Sequence, residues 1–431
     1  MSKIAEWVER DANVVWHGFT QMSAYADNAP IIVERGEGRE LIDVDGNRYL
    51  DAISSVWMIT LGHCHPELNR AAHAQLDRVA HSTMLGNGNA TTIAFAEALA
   101  AVVPVNEPRF LFAADGASAV EQALKIAFQY HVNRGDLKRT RYLAFDGAYH
   151  GDTIGAISLG AGGFGTDLFD PLRFPVLRAN NGSDPDWAEG ASSIIKSHGS
   201  HLAAMIVEPV VQGASGIQLL EAAALARVVE AAQSAGMLVI FDEVATGFGR
   251  TGTLFASEQV GVQPDLLCLG KGITGGYVPM SATAVSRAVA GAFLGADLSE
   301  RTLYHGHSYG GNALAAAVAH RHLELISDPE VSQNVQERAA QLAALLAEHI
   351  APLAAVRAVR SHGLMAGVEL DVAAEGRDAL FPRRVCRRTV EAGVLLRSLG
   401  ATIPIVPILT STAEEIDRIV SVLAASIQGC R

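Results

Sequence analysis

The chain has 431 residues, 49% of them hydrophobic and 41 of them glycine, which is enough apolar material for two or three domains rather than one core. A formal net charge of −13 argues against nucleic acid or an anionic membrane surface as the main partner. No apolar run nears the roughly 20 residues that span a bilayer. The first residues, MSKIAEWVERD, carry charge and no signal-like apolar stretch, and Cys64, Cys268, Cys386 and Cys430 lack CxxC spacing. The expectation is a cytoplasmic protein with free thiols.

In chain order, Pro30–Glu34 reads as a strand, and Glu40–Leu50 reads as a hairpin turning at Asp45-Gly-Asn. From about Thr91 helices alternate with short apolar runs. Thr92 to Val103 reads as a helix, Arg109–Ala113 as a strand, Ser118 to Asn133 as an amphipathic helix and Arg141–Phe145 as a strand. Ala203–Glu208, Met237–Asp242 and Asp265–Leu269 follow as strands. Unalternated apolar runs between helices predict strands buried on both faces of a parallel or mixed sheet. An alanine-rich helix past Leu314, a strand at Gly363–Leu370 and a helix from Thr412 make a smaller C-terminal unit.

Ligand sites in such sheets lie beyond the carboxyl ends of the strands, where this sequence puts Glu208, Asp242 and Lys271. Of five lysines, Lys3 falls in a terminus expected to fray, and Lys125, Lys138 and Lys196 fall in polar or helical surroundings. Lys271 alone follows an apolar strand and opens a glycine-rich loop. It is either a solvated loop residue or an amine made nucleophilic by burial. Asp242 either caps a helix or pairs with Arg250, or else meets a cation such as a protonated pyridine nitrogen. Asp115-Gly-Ala-Ser118 opens a helix whose free N–H groups suit a phosphate, although a plain helix cap reads equally well. Tyr149 and His150 sit in a loop after a strand, where the tyrosine could stack on an aromatic ligand or simply pack. The pairs His63/His65 and His305/His307 have no carboxylate spacing to complete a zinc set, so no metal is expected.

Together these segments resemble the class III aminotransferases, pyridoxal-phosphate enzymes of fold type I. The likeness runs from about Trp16 to the last helix and is most specific at Asp242-Glu-Val-Ala-Thr-Gly-Phe-Gly-Arg-Thr-Gly-Thr-Leu-Phe-Ala-Ser-Glu258 and Gly270-Lys271-Gly. It implies an α/β large domain with a mostly parallel central sheet flanked by helices, here 63–322. A smaller α+β domain would come from both termini, 1–62 and 323–431. It implies that Lys271 carries pyridoxal 5'-phosphate and serves as base and acid, and that Asp242 meets the pyridine nitrogen. Tyr149 and Val244 would flank the ring, Gly116 and Ala117 would cradle the phosphate, and His150 and Glu208 would complete the cofactor's setting. Ser308 would reach the phosphate of a neighbouring subunit, which implies a homodimer. Asp115 stands where many relatives have serine, and Ala245 where many have glutamine. Asp115 is therefore expected to cap the helix rather than face the phosphate.

Within the class, Trp16-His-Gly-Phe-Thr-Gln-Met22, Ser54-Ser-Val-Trp57, Tyr149-His-Gly-Asp-Thr153 and His305-Gly-His-Ser-Tyr309 resemble the branch that aminates the keto acid 8-amino-7-oxononanoate on the route to biotin. By that likeness Arg397 holds the acid's carboxylate, and Phe19, Trp57 and Tyr149 wall its apolar chain. The donor would be lysine or S-adenosylmethionine, with Phe19 and the His-Gly-His-Ser-Tyr turn pointing toward lysine. An ω-amino-acid or diamine aminotransferase, an aminomutase or racemase of the same fold, and a non-catalytic or NAD-binding α/β protein stay open as alternatives.

Overall fold

The computed structural model describes residues 3–28, 30–161, 166–374 and 376–430. The chain divides into two units, Pro66–Ser332 and the two terminal stretches Met1–His65 with Gln333–Arg431. Among the described residues no helix is long and apolar enough to cross a membrane.

Seven strands form the central sheet of the larger unit: β1 (Arg109–Ala113), β2 (Arg141–Phe145), β3 (Leu177–Ala179), β4 (Leu202–Val207), β5 (Leu238–Asp242), β6 (Leu266–Leu269) and β7 (Ser281–Val285). Their order is β1-β7-β6-β5-β4-β2-β3. Neighbours are parallel except where β7 runs against β6 and β1. All residues of β4, β5, β6 and β7 are buried, as the unalternated apolar runs require. Helix α1 (Gly116–Asn133) packs Val120, Ala123, Leu124 and Ala127 into the core that includes Ile206, Ile240 and Leu266. Helices α2 (Ala222–Ser234) and α3 (Ala313–Ile326) are buried through Leu225, Val228 and Val229 and through Ala315, Ala316 and Ala319. The parallel strands therefore deliver their carboxyl ends to one edge of the sheet.

Two departures from expectation have simple causes. Strand β7, Ser-Ala-Thr-Ala-Val, lacks the bulky apolar run by which its neighbours are read. Its buried Thr283 hydroxyl is satisfied by the Ala119 carbonyl at 2.9 Å and the Gln122 side chain at 2.8 Å. Helix α1 begins at Gly116 rather than Ser118, because Asp115 is the cap: its Oδ1 accepts the Ser118 N–H at 2.8 Å.

The smaller unit holds a four-stranded sheet of Val33–Glu37, Glu40–Asp43, Arg48–Asp51 and Val394–Leu395. It also holds a three-stranded antiparallel sheet of Val356–His362, Met365–Leu370 and Thr402–Ile405. The first strand runs Val33–Glu37 rather than from Pro30, since the turn at Gly38, with φ +58°, sets the pairing of Glu37 with Glu40. The Asp45-Gly-Asn turn forms as expected, with the Asp43 carboxylate accepting the N–H groups of Asp45 and Asn47. The final helix, Ala413–Gly429, is closed by a capping box between Thr412 and Glu415. Lys3, expected in a frayed end, belongs to the helix Lys3–Val14, and its Nζ lies 3.4 Å from the Val44 carbonyl.

Candidate active site

Strand β5 is apolar until its last residue, Asp242, which is only 4% exposed. A carboxylate at that depth needs partners. His150 Nδ1 stands 2.7 Å from Asp242 Oδ2, and the Val244 N–H donates to Oδ1 at 3.0 Å. The His150 ring comes from the loop after β2, so two parallel strands meet in this pair.

Glu208 follows β4 and is also buried. Its carboxylate accepts the Tyr149 N–H at 3.1 Å and the Gly213 N–H at 2.9 Å. Burial pushes its pKa up to about 7, with Asp242 adding to the rise and His150 and the two N–H donors opposing it. The Tyr149 hydroxyl donates to Asp152 Oδ2 at 2.8 Å, and burial pushes that phenol's pKa up.

Lys271 follows β6 in a left-handed conformation, φ +42°, which tightens the exit of the strand into the turn Lys271–Thr274. Burial pulls its ammonium below the ordinary lysine range, and the fields of Asp242 and Glu208 oppose that fall. A lysine whose ammonium is destabilised by burial gives up its proton more readily than an exposed one, which suits an amine that must act as a nucleophile.

The Val244 side chain is wedged between two glycines. A Cβ on Gly116 would lie 2.6 Å from Val244 Cγ1, and one on Gly270 would lie 3.1 Å from the same methyl. The start of α1, the turn after β5 and the turn carrying Lys271 thus close on one another, and only glycine allows the approach. Asp115 spends both oxygens on Ser118, taking its N–H and its hydroxyl, each at 2.8 Å. That leaves the first N–H groups of α1, at Gly116 and Ala117, outside the helix's own hydrogen bonding. Behind them, Glu121 Oε1 accepts the Thr153 hydroxyl at 2.6 Å and the Gly155 N–H at 2.8 Å, which ties the 147–155 loop to α1.

The structure therefore brings Gly116, Ala117, Tyr149, His150, Glu208, Asp242, Val244 and Lys271 to one edge of the sheet. Ser308 lies on an exposed turn of the same unit. In the smaller unit Trp57 is buried and Phe19 is 58% exposed. Arg397 is exposed after the strand Val394–Leu395 and has no ion pair among the described residues. Reading the sequence missed Glu243. This buried carboxyl accepts the N–H groups of Ala256 and Ser257 at 2.6 and 2.8 Å and the Ser257 hydroxyl at 2.5 Å, fixing the loop that leaves the site. The signal was a second acid directly after Asp242. Asp242 was also offered Arg250 as a partner; the side chain described against its Oδ2 is His150. Among the described residues no group of three metal-binding side chains occurs.

A family model described as aminotransferase class-III matches residues 21–427. The adenosylmethionine-8-amino-7-oxononanoate aminotransferase of Nitratidesulfovibrio vulgaris is 42% identical over 99% of this chain and 82% of its own length. The crystal structure of the enzyme of that name from Methanocaldococcus jannaschii superposes with a TM-score of 0.94, at 35% identity over 99% of both chains. An amine transaminase from an uncultivated Pseudomonas species, solved with PLP bound, superposes with a TM-score of 0.90 at 32% identity, over 97% of this chain and 99% of its own.

Proposed function

This chain belongs to the class III aminotransferases, whose cofactor is pyridoxal 5'-phosphate, and we propose that it transfers an amino group to 8-amino-7-oxononanoate, a step of biotin synthesis. The observation that carries the acceptor is the similarity, over 99% of the chain, to an enzyme named for that substrate.

The residues at the sheet edge fit the cofactor. The lowered lysine pKa, the buried carboxylate of Asp242 and the glycine-lined start of α1 supply an amine, an anion and a set of N–H donors in one place. When bound, pyridoxal phosphate supplies an electron sink for the carbon that carries the amino group. Lys271 Nζ would hold the cofactor and, once displaced by the substrate's amine, would move the proton on and off the substrate carbon. The Asp242 carboxylate would accept a hydrogen bond from the protonated ring nitrogen and keep that proton in place, with His150 and the Val244 N–H holding the carboxylate. Tyr149 and Val244 bound the ring, and Glu208 fixes the Tyr149 backbone. The N–H groups of Gly116 and Ala117 would take the phosphate, where the start of a helix favours an anion. Ser308 serves the neighbouring subunit of a homodimer, which suits its exposed turn. The free thiols and negative charge fit a cytoplasmic enzyme.

Arg397 binds the acceptor's carboxylate, and Phe19 and Trp57 face its apolar chain. An exposed ion pair is worth little, so Arg397→Ala should raise the acceptor KM by about two- to fivefold and leave kcat nearly unchanged. An unchanged KM in steady-state assays would contradict the assignment. Phe19 and the His305–Tyr309 turn favoured lysine as donor, yet the similar enzyme is named for adenosylmethionine, which we take as the donor. A donor panel assayed with 8-amino-7-oxononanoate tests this: turnover with lysine but none with adenosylmethionine would reverse it.

A further inference from the structure

We propose that Asp11 is a positioning residue for the acceptor: its carboxylate ties together the two ends of the 17–25 loop and so sets the place of Phe19 between them. The inference rests on the reading of Phe19 as a wall of the acceptor's apolar chain.

The helix Lys3–Val14 has no buried residue, and past it the Val15 N–H still binds the Asp11 carbonyl at 2.8 Å. The segment that follows has little apolar burial to hold it, since Trp16 is 88% exposed and Phe19 58%. Phe19 also has φ +54°, a left-handed backbone that is unfavourable for a bulky residue. Such a conformation persists only where its surroundings over-determine it.

Asp11 supplies that constraint. Its Oδ2 accepts the hydroxyl of Tyr25, and His17 Nε2 lies 2.8 Å from the same oxygen. The His17 and Tyr25 rings stack, with centroids 4.6 Å apart and planes 17° from parallel. A residue just before Phe19 and one after it therefore meet on one oxygen, and the loop between them is closed. Tyr25 is the anchor, because it is buried and its hydroxyl holds the Asp11 carboxyl below the ordinary carboxylate range. The Thr20 hydroxyl donates to the Gly18 carbonyl and the Gln21 side chain accepts the Ser23 N–H. Each of these bonds spans two residues, so they shape the loop without closing it. Two donors use both lone pairs of Oδ2, so an asparagine with its oxygen in that place could still accept both.

The test is a double-mutant cycle between Asp11→Ala and Phe19→Ala, read as the acceptor KM and kcat of the holoenzyme with 8-amino-7-oxononanoate. Phe19→Ala is expected to raise KM by on the order of tenfold, and Asp11→Ala by about three- to fivefold, both with kcat within about twofold of the parent. If Asp11 acts through Phe19, the double variant is no worse than Phe19→Ala alone, and Asp11→Asn keeps KM within about twofold of the parent. The same rise from Asp11→Ala in both backgrounds would overturn the proposal, as would a fall in kcat without a change in KM. Asp11→Asn as impaired as Asp11→Ala would also overturn the shared oxygen. If Asp11→Ala does not fold, Tyr25→Phe, which removes one donor and keeps the ring, takes its place in the cycle and decides by the same comparison. Parental KM in Asp11→Ala with a raised KM in Phe19→Ala would overturn the role of Asp11 and leave that of Phe19. Parental KM in Phe19→Ala would overturn both.

Discussion

Glu208 and Glu243 are buried carboxyls on adjacent parallel strands, and burial pushes each up to about 7. Their surroundings separate their roles. Glu243 meets only neutral donors from Thr246, Ala256 and Ser257, so it is a brace for the loop after β5. Glu208 shares its surroundings with His150, Asp242 and Lys271, so its charge bears on the residues proposed to hold the cofactor. The sign of its effect on stability follows from the raised pKa. A carboxyl that is harder to ionise in the folded state adds stability below its ordinary value of 4.5, and that stability is lost as the pH rises through about 7. Glu208→Gln should remove this dependence. The parent should lose about 3 kcal/mol relative to the variant as the pH is raised from below 4.5 to above 7, read by urea unfolding of the cofactor-free proteins. A stability difference that does not change with pH would contradict it. At this scale Lys271, Asp242 and Glu208 were legible, because each is a polar residue closing an apolar run. The pairing of His150 with Asp242, 92 positions apart, was not, since nothing local marks which loop a buried acid will meet.

Among the elements, the least expected is the turn Ser54–Trp57, whose four residues all have positive φ, from 47° to 71°, and none of which is glycine. Left-handed backbone costs roughly 1–2 kcal/mol per L-residue, most for a β-branched one such as Val56. Asp51 holds the turn. Its buried carboxylate accepts the Ser55 N–H at 3.0 Å and the Ser55 hydroxyl at 2.8 Å, and lies 3.0 Å from His63 Nε2. The Ser54 hydroxyl donates to the Val406 carbonyl at 2.6 Å. Val56→Gly should therefore stabilise the protein by about 1 kcal/mol, because its side chain is half exposed and little packing is lost. Asp51→Ala should destabilise it by about 2–4 kcal/mol through the donors left unpaired. Chemical denaturation checks both, and a loss of stability in Val56→Gly would contradict the strain. Ile53-Ser-Ser-Val-Trp contains no glycine to announce such a turn, so it could not be read in advance. Strand β7 escaped for a related reason: small residues fit a crowded sheet without leaving an apolar run. Strands β4, β5 and β6 were legible because burial on both faces admits almost nothing but Val, Ile, Leu, Met, Ala and Phe.

At the scale of the molecule, a mostly parallel sheet gathers the ends of β1, β2, β4, β5 and β6, and with them an amine, two carboxyls, an imidazole and the glycine-lined start of a helix. That gathering was readable because strand order matters less than direction: parallel strands put their carboxyl ends on one edge whichever neighbours they take. The acceptor-binding roles proposed for Phe19, Trp57 and Arg397 rest on resemblance alone, since an exposed arginine or a buried tryptophan has no local mark of function. The direct test of the whole assignment is mass-spectrometric identification of the product formed from 8-amino-7-oxononanoate and adenosylmethionine by the holoenzyme and by Lys271→Ala. The expected result is the diamine corresponding to amination of the keto carbon. With Lys271→Ala its rate should fall by on the order of a thousandfold or more. Recovery of the unreacted keto acid from the parent under conditions where it aminates another carbonyl compound, or near-parental product formation by Lys271→Ala, would contradict it.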